Sequence, residues 1–347
     1  MIYFVNFIIL SINSLLERFV RSKVFLFIST LLLICFAGFR GFNVGPDTLR
    51  YANYYQETHD KIGVSYFEPG YRFLEHFCAS LNFSTFAFFL FISLITMVIL
   101  VVGFNYMTMF PTSILVYYYA RFFMNRNMGQ IRAALAASII LFSLRYIVNE
   151  KPVYFIFFCL LASTIHKSAL IALIIYPFNY FIWKVAKTKR KIVVIVILIF
   201  VISAVVSIIG SNIIYNIFNV LSKAYVDNIN DNAKLSYGLN NPVILMQVII
   251  TILALIFLNL DKRVNKVIIS TYILSTILII ILSHYYVLAG RFSSMLATVE
   301  PLLILKVNNH FFGTKLVSFF SFLLISLVIF WLINIHTGAL SPYELSF

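Results

Sequence analysis

The sequence predicts an all-α polytopic membrane protein with about twelve transmembrane helices. Three observations carry that reading. Of 347 residues, 62% are hydrophobic and only 11% are charged, against about 25% charged in ordinary soluble domains. The mean hydropathy is +0.97. Apolar runs close to the ~20 residues that a span requires recur along the whole chain. No water-soluble fold hides that much apolar surface, and runs of this length satisfy their backbone in lipid as helices.

The predicted spans are 2–16, 23–39, 84–103, 106–124, 129–147, 152–165, 168–183, 191–210, 242–260, 267–285, 290–306 and 316–335. Residues 1–347 read as a single integral membrane domain. The first span lacks a small-residue cleavage site and reads as retained. The sixth and seventh are short, so the pair reads as a broken or re-entrant element. Two polar stretches interrupt the pattern, a loop at 40–83 carrying an interfacial helix and a second loop at 211–241. Both are too short to bury a core of their own. Cys35, Cys78 and Cys159 show no paired spacing, so neither a disulfide framework, a metal nor a cofactor is expected.

The net charge is +14. In a membrane protein it reads as topology and not as nucleic-acid binding. Alternating the loops puts the lysine-rich segments "WKVAKTKRK" and "DKRVNK" on one side, which the positive-inside rule makes cytoplasmic. Arg18, Arg21 and Lys23 fall on the same side, and both termini fall outside. The outer side keeps seven arginines: Arg40, Arg50, Arg72, Arg121, Arg126, Arg132 and Arg291. It also keeps Asp47, Glu57, Asp60, Glu68, Glu75, Asp227, Asp231 and Glu344. Topology alone does not ask for arginine there. A guanidinium is always charged and binds phosphate or carboxylate oxygens in pairs.

Four outer segments hold the candidates. "GFRGFNVGPDTLRYANYY" carries Arg40, Asp47, Arg50 and Tyr51. "YFEPGYRFLEHF" carries Glu68, Tyr71 and Arg72. Its Pro69 opens a short helix whose Phe73, Leu74, Phe77 and Leu81 form an apolar face for the membrane interface. "ARFFMNRNMGQIRAALA" sets Arg121, Arg126 and Arg132 around a short hairpin, with Gln130 at a helix start suited to an anion. "STIHKSAL" puts His166 and Lys167 at a break, and "YYVLAGRFSSM" puts Arg291 near a helix start.

Each residue also has a plainer reading. Arg40 and Arg121 snorkel to headgroups. Asp47 caps the helix that follows it. Glu68 shapes a turn, and His166 bonds a carbonyl. Lys61, Lys223 and Lys234 are solvated loop charges. Tyr51, Tyr54 and Tyr55 form an interfacial belt. What exceeds these readings is the joint pattern of cations, acids and a histidine at one membrane face, where ionisable groups are costly. A lipid-linked diphosphate fits it, with the tail in the bilayer, the diphosphate at the arginines and the sugar among acids and rings.

In order and spacing, "FRGFNVGPDTLRYANYY", "YFEPGYRFL", "NMGQIRAALAASIILFSL" and "STIHKSALIALIIYPF" resemble the EpsG/Wzy-like polysaccharide polymerases. The resemblance runs from Phe39 to Pro177, with an echo at "AGRFSS". It implies a GT-C-like helical architecture. It also implies a metal-independent glycosyltransferase of the bacterial inner membrane, with its active site facing the periplasm. Such an enzyme moves a glycan from undecaprenyl diphosphate onto the non-reducing end of another lipid-linked unit, in O-antigen, capsule or exopolysaccharide synthesis. Its partners would be lipid-linked oligosaccharides, membrane lipids and a chain-length regulator. On this reading Arg40, Arg121, Arg126, Arg132 and Arg291 meet diphosphate. Arg50, Arg72, Tyr51, Tyr71 and Gln130 bind substrate. His166 is the favoured base, followed by Asp47 and Glu68. Rivals from other classes are a flippase for the same lipid and a membrane O-acyltransferase. A flippase calls for repeated halves and a charged central cavity, which the sequence does not show. An acyltransferase calls for a cytoplasmic acyl route, away from His166.

Overall fold

The computed structural model describes residues 1–60, 67–185, 188–210, 238–338 and 340–345. Lys61, Tyr66 and the segment 211–237, with Lys223, Asp227, Asp231 and Lys234, lie outside the described residues. Apart from one isolated bridge between Arg40 and Leu345, the regular structure described is helical. Among the described residues, eight helices are long and apolar enough to cross a membrane, and three shorter apolar ones accompany them. The chain is an all-α polytopic membrane protein.

The helices form two compact units. The first comprises residues 1–170 and 308–347. It holds α1 (Ile2–Val20), α2 (Val24–Gly38), α3 (Thr48–His59), α4 (Pro69–Ser80) and α5 (Thr85–Met107). α6 (Pro111–Tyr118) runs through a π-helical turn, Tyr119–Phe123, into α7 (Met124–Arg126). α8 (Ile131–Val148) and α9 (Pro152–Ile165) follow. α8 is the hub, packed between α5 and α9. Local chemistry sets several starts. Pro69, Pro111 and Pro152 occupy first-turn positions, where the missing N–H costs nothing. Ser84 Oγ accepts from Ala87 N–H at 3.3 Å and caps α5.

The second unit comprises residues 171–307. A 3₁₀ segment, Lys167–Ile174, leads into α10 (Ile175–Val185), then α11 (Lys189–Ile209) and α12 (Pro242–Phe257). α13 (Arg263–Ile281) is central to this unit, against α10, α11, α12 and α14 (Tyr286–Leu296). A short 3₁₀ turn, Ala297–Val299, breaks α14 from α15 (Glu300–Phe311). The last helix, α16 (Lys315–Phe330), ends in a π turn at Trp331–Ile335 and belongs to the first unit.

Each predicted span has a helical counterpart, with shifted ends. α1 runs on to Val20, so Arg18 is not the loop charge expected. It is buried, donating to Ser113 Oγ at 3.4 Å and Lys315 O at 3.2 Å between the rings of Phe110 and Phe319. The expected break at the sixth and seventh spans falls at His166, whose backbone is extended (φ −153°, ψ 116°).

Candidate functional site

Two glycines and a threonine bring the segments around Arg40, Glu68, Arg132 and His166 together within the first unit. Gly45 has φ +95°, and a Cβ there would stand 2.0 Å from the Met128 carbonyl oxygen. Only glycine meets both demands without strain. A Cβ on Gly70 would stand 2.2 Å from Thr164 Oγ1, so the start of α4 lies directly on the end of α9. Thr48 completes the seam, with its hydroxyl 2.6 Å from Val44 O and 2.9 Å from Met128 O. These backbone approaches fix the register of α3 against α8, and of α4 against α9.

At their convergence lies a cluster of Arg132, Glu68 and His166. Glu68 occupies the N-cap position of α4 in extended geometry but makes no cap bond. Its carboxylate turns across to α8 and α9 instead. Arg132 Nη1 pairs with Glu68 Oε2. Glu68 Oε1 accepts the Lys167 backbone N–H at 3.1 Å. His166 Nδ1 lies 3.4 Å from the same oxygen, within ion-pair reach but off the hydrogen-bond line. Burial pushes the Glu68 carboxyl up, but His166, Arg132 and the Lys167 N–H outweigh it and hold it at about 2. Glu68 is therefore ionised at neutral pH.

Arg132 stands in an aromatic box. Its Cζ lies 4.0 Å from the Phe67 ring centre, 5.7 Å from Tyr51 and 5.9 Å from Tyr71. Its Nε donates to Tyr51 Oη at 3.3 Å. Nε and Nη1 are thus engaged, which leaves Nη2 for a ligand. Tyr71 is fully buried, and its hydroxyl has no hydrogen-bond partner. The two tyrosines are walls of this box, which an interfacial belt alone would not require.

The other predicted residues are placed differently. Arg40 does not stand at the surface. It is only 1% exposed, donating from Nε to Thr48 Oγ1 at 3.2 Å and from Nη1 to Ala37 O. Burial lowers it to about 10, so it stays cationic at neutral pH. Its unpartnered Nη2 belongs to a small pocket lined by Phe89, Ser93, Thr96, Asn127, Ile131 and Ala134. Arg40 ties the end of α2 to the start of α3. Arg126 is buried with Cζ 4.3 Å from the Phe122 ring, and Arg121 sits in the π turn beside the same ring. Arg50 is exposed over Tyr54, and Arg72 and Gln130 are half-buried. Asp47 does not cap α3: its backbone (φ −110°, ψ 4°) lacks the extended shape of a cap, and no side-chain bond forms. Arg291 lies on α14 in the second unit.

Some functional-looking groups escape the sequence pattern. Glu75, one helical turn beyond Tyr71, is fully buried on the inner face of α4, while Phe73, Phe77 and Leu81 face outward. Its spacing from Glu68 and Tyr71 was the available signal. Residues 341–345 cross the Arg40 segment. Gly41 N–H donates to Glu344 O at 2.7 Å, and Tyr343 stacks on Phe36 at 4.4 Å. No local signal marks such a long-range contact. Glu17 and Glu300 are buried acids inside apolar helices, held by Thr112 at 2.7 Å and by the Tyr272 hydroxyl at 2.8 Å respectively.

The model of the EpsG family matches residues 23–345, nearly the whole chain. The chain belongs to the EpsG family. No curated protein and no solved structure matches it. EpsG membership brings a polymerase-type role in polysaccharide synthesis, carried out by a membrane protein. Within this EpsG protein, the segments around Glu68, Arg132 and His166 converge on one cluster.

Proposed function

We propose that the protein polymerises lipid-linked oligosaccharides at the periplasmic face of the bacterial inner membrane. The substrate is a glycan on undecaprenyl diphosphate, and the acceptor is the non-reducing end of another lipid-linked unit. The product belongs to O-antigen, capsule or exopolysaccharide synthesis, with no metal required. A chain-length regulator is the proposed protein partner. The observation that carries this reading is the Arg132–Glu68–His166 cluster, which sets a cation, a carboxylate and an imidazole in direct reach beside an aromatic box.

Each group has a chemical task. The acceptor hydroxyl gives its proton to His166, which can take it near neutral pH. The acceptor oxygen forms a new bond to the anomeric carbon. The bond from that carbon to the diphosphate oxygen breaks, and the diphosphate leaves with the electron pair. Arg132 Nη2 stabilises that growing charge, with Arg126 and Arg121 as further proposed contacts. Tyr51 and Tyr71, both buried, are proposed to serve the substrate by holding the Arg132 guanidinium between their rings. Arg50, Arg72 and Gln130 are proposed to reach the same substrate, with Asp47 as the competing base. Arg40 contributes by shaping the α2–α3 junction.

A deletion strain tests the reaction class. Loss of a polymerase leaves surface glycan with a single repeat unit. A strain with almost no surface glycan would point to a flippase, and full-length chains lacking an acyl group to an acyltransferase. His166→Ala should reproduce the single-repeat pattern on a gel. Polymer of normal length in that variant would refute the histidine assignment.

A further inference from the structure

We infer that Glu68 is a positioning residue that holds the His166 ring with Nδ1 toward its carboxylate, leaving Nε2 as the proton acceptor. This rests on the polymerase reading above, which treats His166 and Glu68 as rival bases. The geometry makes them partners.

One carboxylate spans two roles. Oε1 faces His166 Nδ1 at 3.4 Å and accepts the neighbouring Lys167 N–H at 3.1 Å. Oε2 takes Arg132. Glu68 therefore holds both the imidazole and the backbone next to it, at the one position where the helix is broken into extended form. The close approach of Gly70 to Thr164 sets the start of α4 directly on the end of α9. His166 is 8% exposed, so its ring is enclosed and its orientation depends on such contacts.

The chemistry agrees. A base oriented by a third group is the recurring arrangement for activating a hydroxyl. A neutral imidazole with its Nδ1 proton toward a carboxylate presents the Nε2 lone pair. When Nε2 takes the acceptor's proton, the imidazolium forms beside an anion, which stabilises it. The proton then passes to the departing diphosphate or to water. As a base itself, Glu68 is poorly suited: Arg132 and the Lys167 N–H already occupy its oxygens, and it is held at about 2. The charged side chain facing the pair is that of Arg132 from α8.

The test is a set of double-mutant cycles on the full-length protein in lipid nanodiscs, with lipid-linked repeat units as donor and acceptor. Glu68→Gln should lower kcat about 100-fold while KM changes by less than about threefold. Combined with His166→Gln, it should add no further loss, because both remove one unit. Glu68→Asp, which keeps the charge, should retain more activity than Glu68→Gln. If Glu68 only anchors Arg132, its loss will add fully to that of His166→Gln and overlap instead with Arg132→Lys, and the inference falls. It also falls if Glu68→Gln abolishes turnover while His166→Gln retains it. Should Glu68→Gln fail to fold, Glu68→Asp enters the same cycles. A second readout needs no turnover: carbethoxylation of His166 by diethyl pyrocarbonate, followed by mass spectrometry, should speed up severalfold in the Glu68 variant as the ring is released. An unchanged rate overturns the inference. A wild type that makes no polymer, together with faster labelling in the Glu68 variant, would sink the polymerase reading and leave the Glu68–His166 coupling standing.

Discussion

The two units solve the problem of polar groups in apolar helices in different ways. The first assembles formal charges: Glu68 with Arg132 and His166, and Glu17 beside Arg18. The second relies chiefly on neutral groups. Ser275 donates to Ser293 O at 2.9 Å and lies 3.4 Å from Gln247 Oε1, and Trp183 Nε1 reaches Ser270 at 2.8 Å. Its buried Glu300 is met by a tyrosine hydroxyl. Neutral hydroxyl bonds are glue between helices and contribute about 0.6 kcal/mol each. Charges that must be desolvated and paired cost far more to keep. On the proposed reading, the first unit is where chemistry is worth that cost.

The sharpest way to break this contrast is at the seam that assembles the charges. Gly45→Ala forces a side chain into a left-handed position and onto the Met128 oxygen. It should destabilise the protein by about 3 kcal/mol or more and remove activity, as read by melting in detergent and polymer length on a gel. Next comes Arg132→Lys, which keeps the charge but loses the planar fork and most of its stacking in the aromatic box. Polymerisation should fall at least about tenfold, with folding retained. Normal activity would mean that a point charge suffices there.

The Glu68 pairing carries its own pH signature. Its folded value of about 2 lies below the ordinary 4.5. The stability it contributes is complete above about pH 4.5 and is lost as pH falls towards 2. Over that window the wild type should lose more melting temperature than Glu68→Gln; parallel curves would show that the pairing contributes nothing. In the neutral unit, Ser275→Ala should cost only about 0.6 kcal/mol. A loss several times larger would erase the distinction between glue and site. Smallest of all, Asp47→Asn should change stability by less than about 0.5 kcal/mol, because no cap bond is lost. A fall in turnover without a change in melting would then assign Asp47 to the substrate.

The sequence by itself determined the all-α membrane architecture, because apolar run length and backbone satisfaction in lipid are local demands. It also placed the break at His166 and marked Glu68, Arg132, Tyr51 and Tyr71, because charges and glycines amid apolar runs stand out without any knowledge of neighbours. Only the tertiary structure decided which of those residues meet. Arg40 and Arg132 look alike as outer arginines, yet one is a buried strut and the other lies in a box beside a carboxylate. The burial of Glu75 and the stacking of Tyr343 on Phe36 depend on what packs against them from distant segments. Side-chain direction in a helix follows from periodicity, but a partner across a helix interface is set by close backbone approach. Here Gly45 and Gly70 fix that approach.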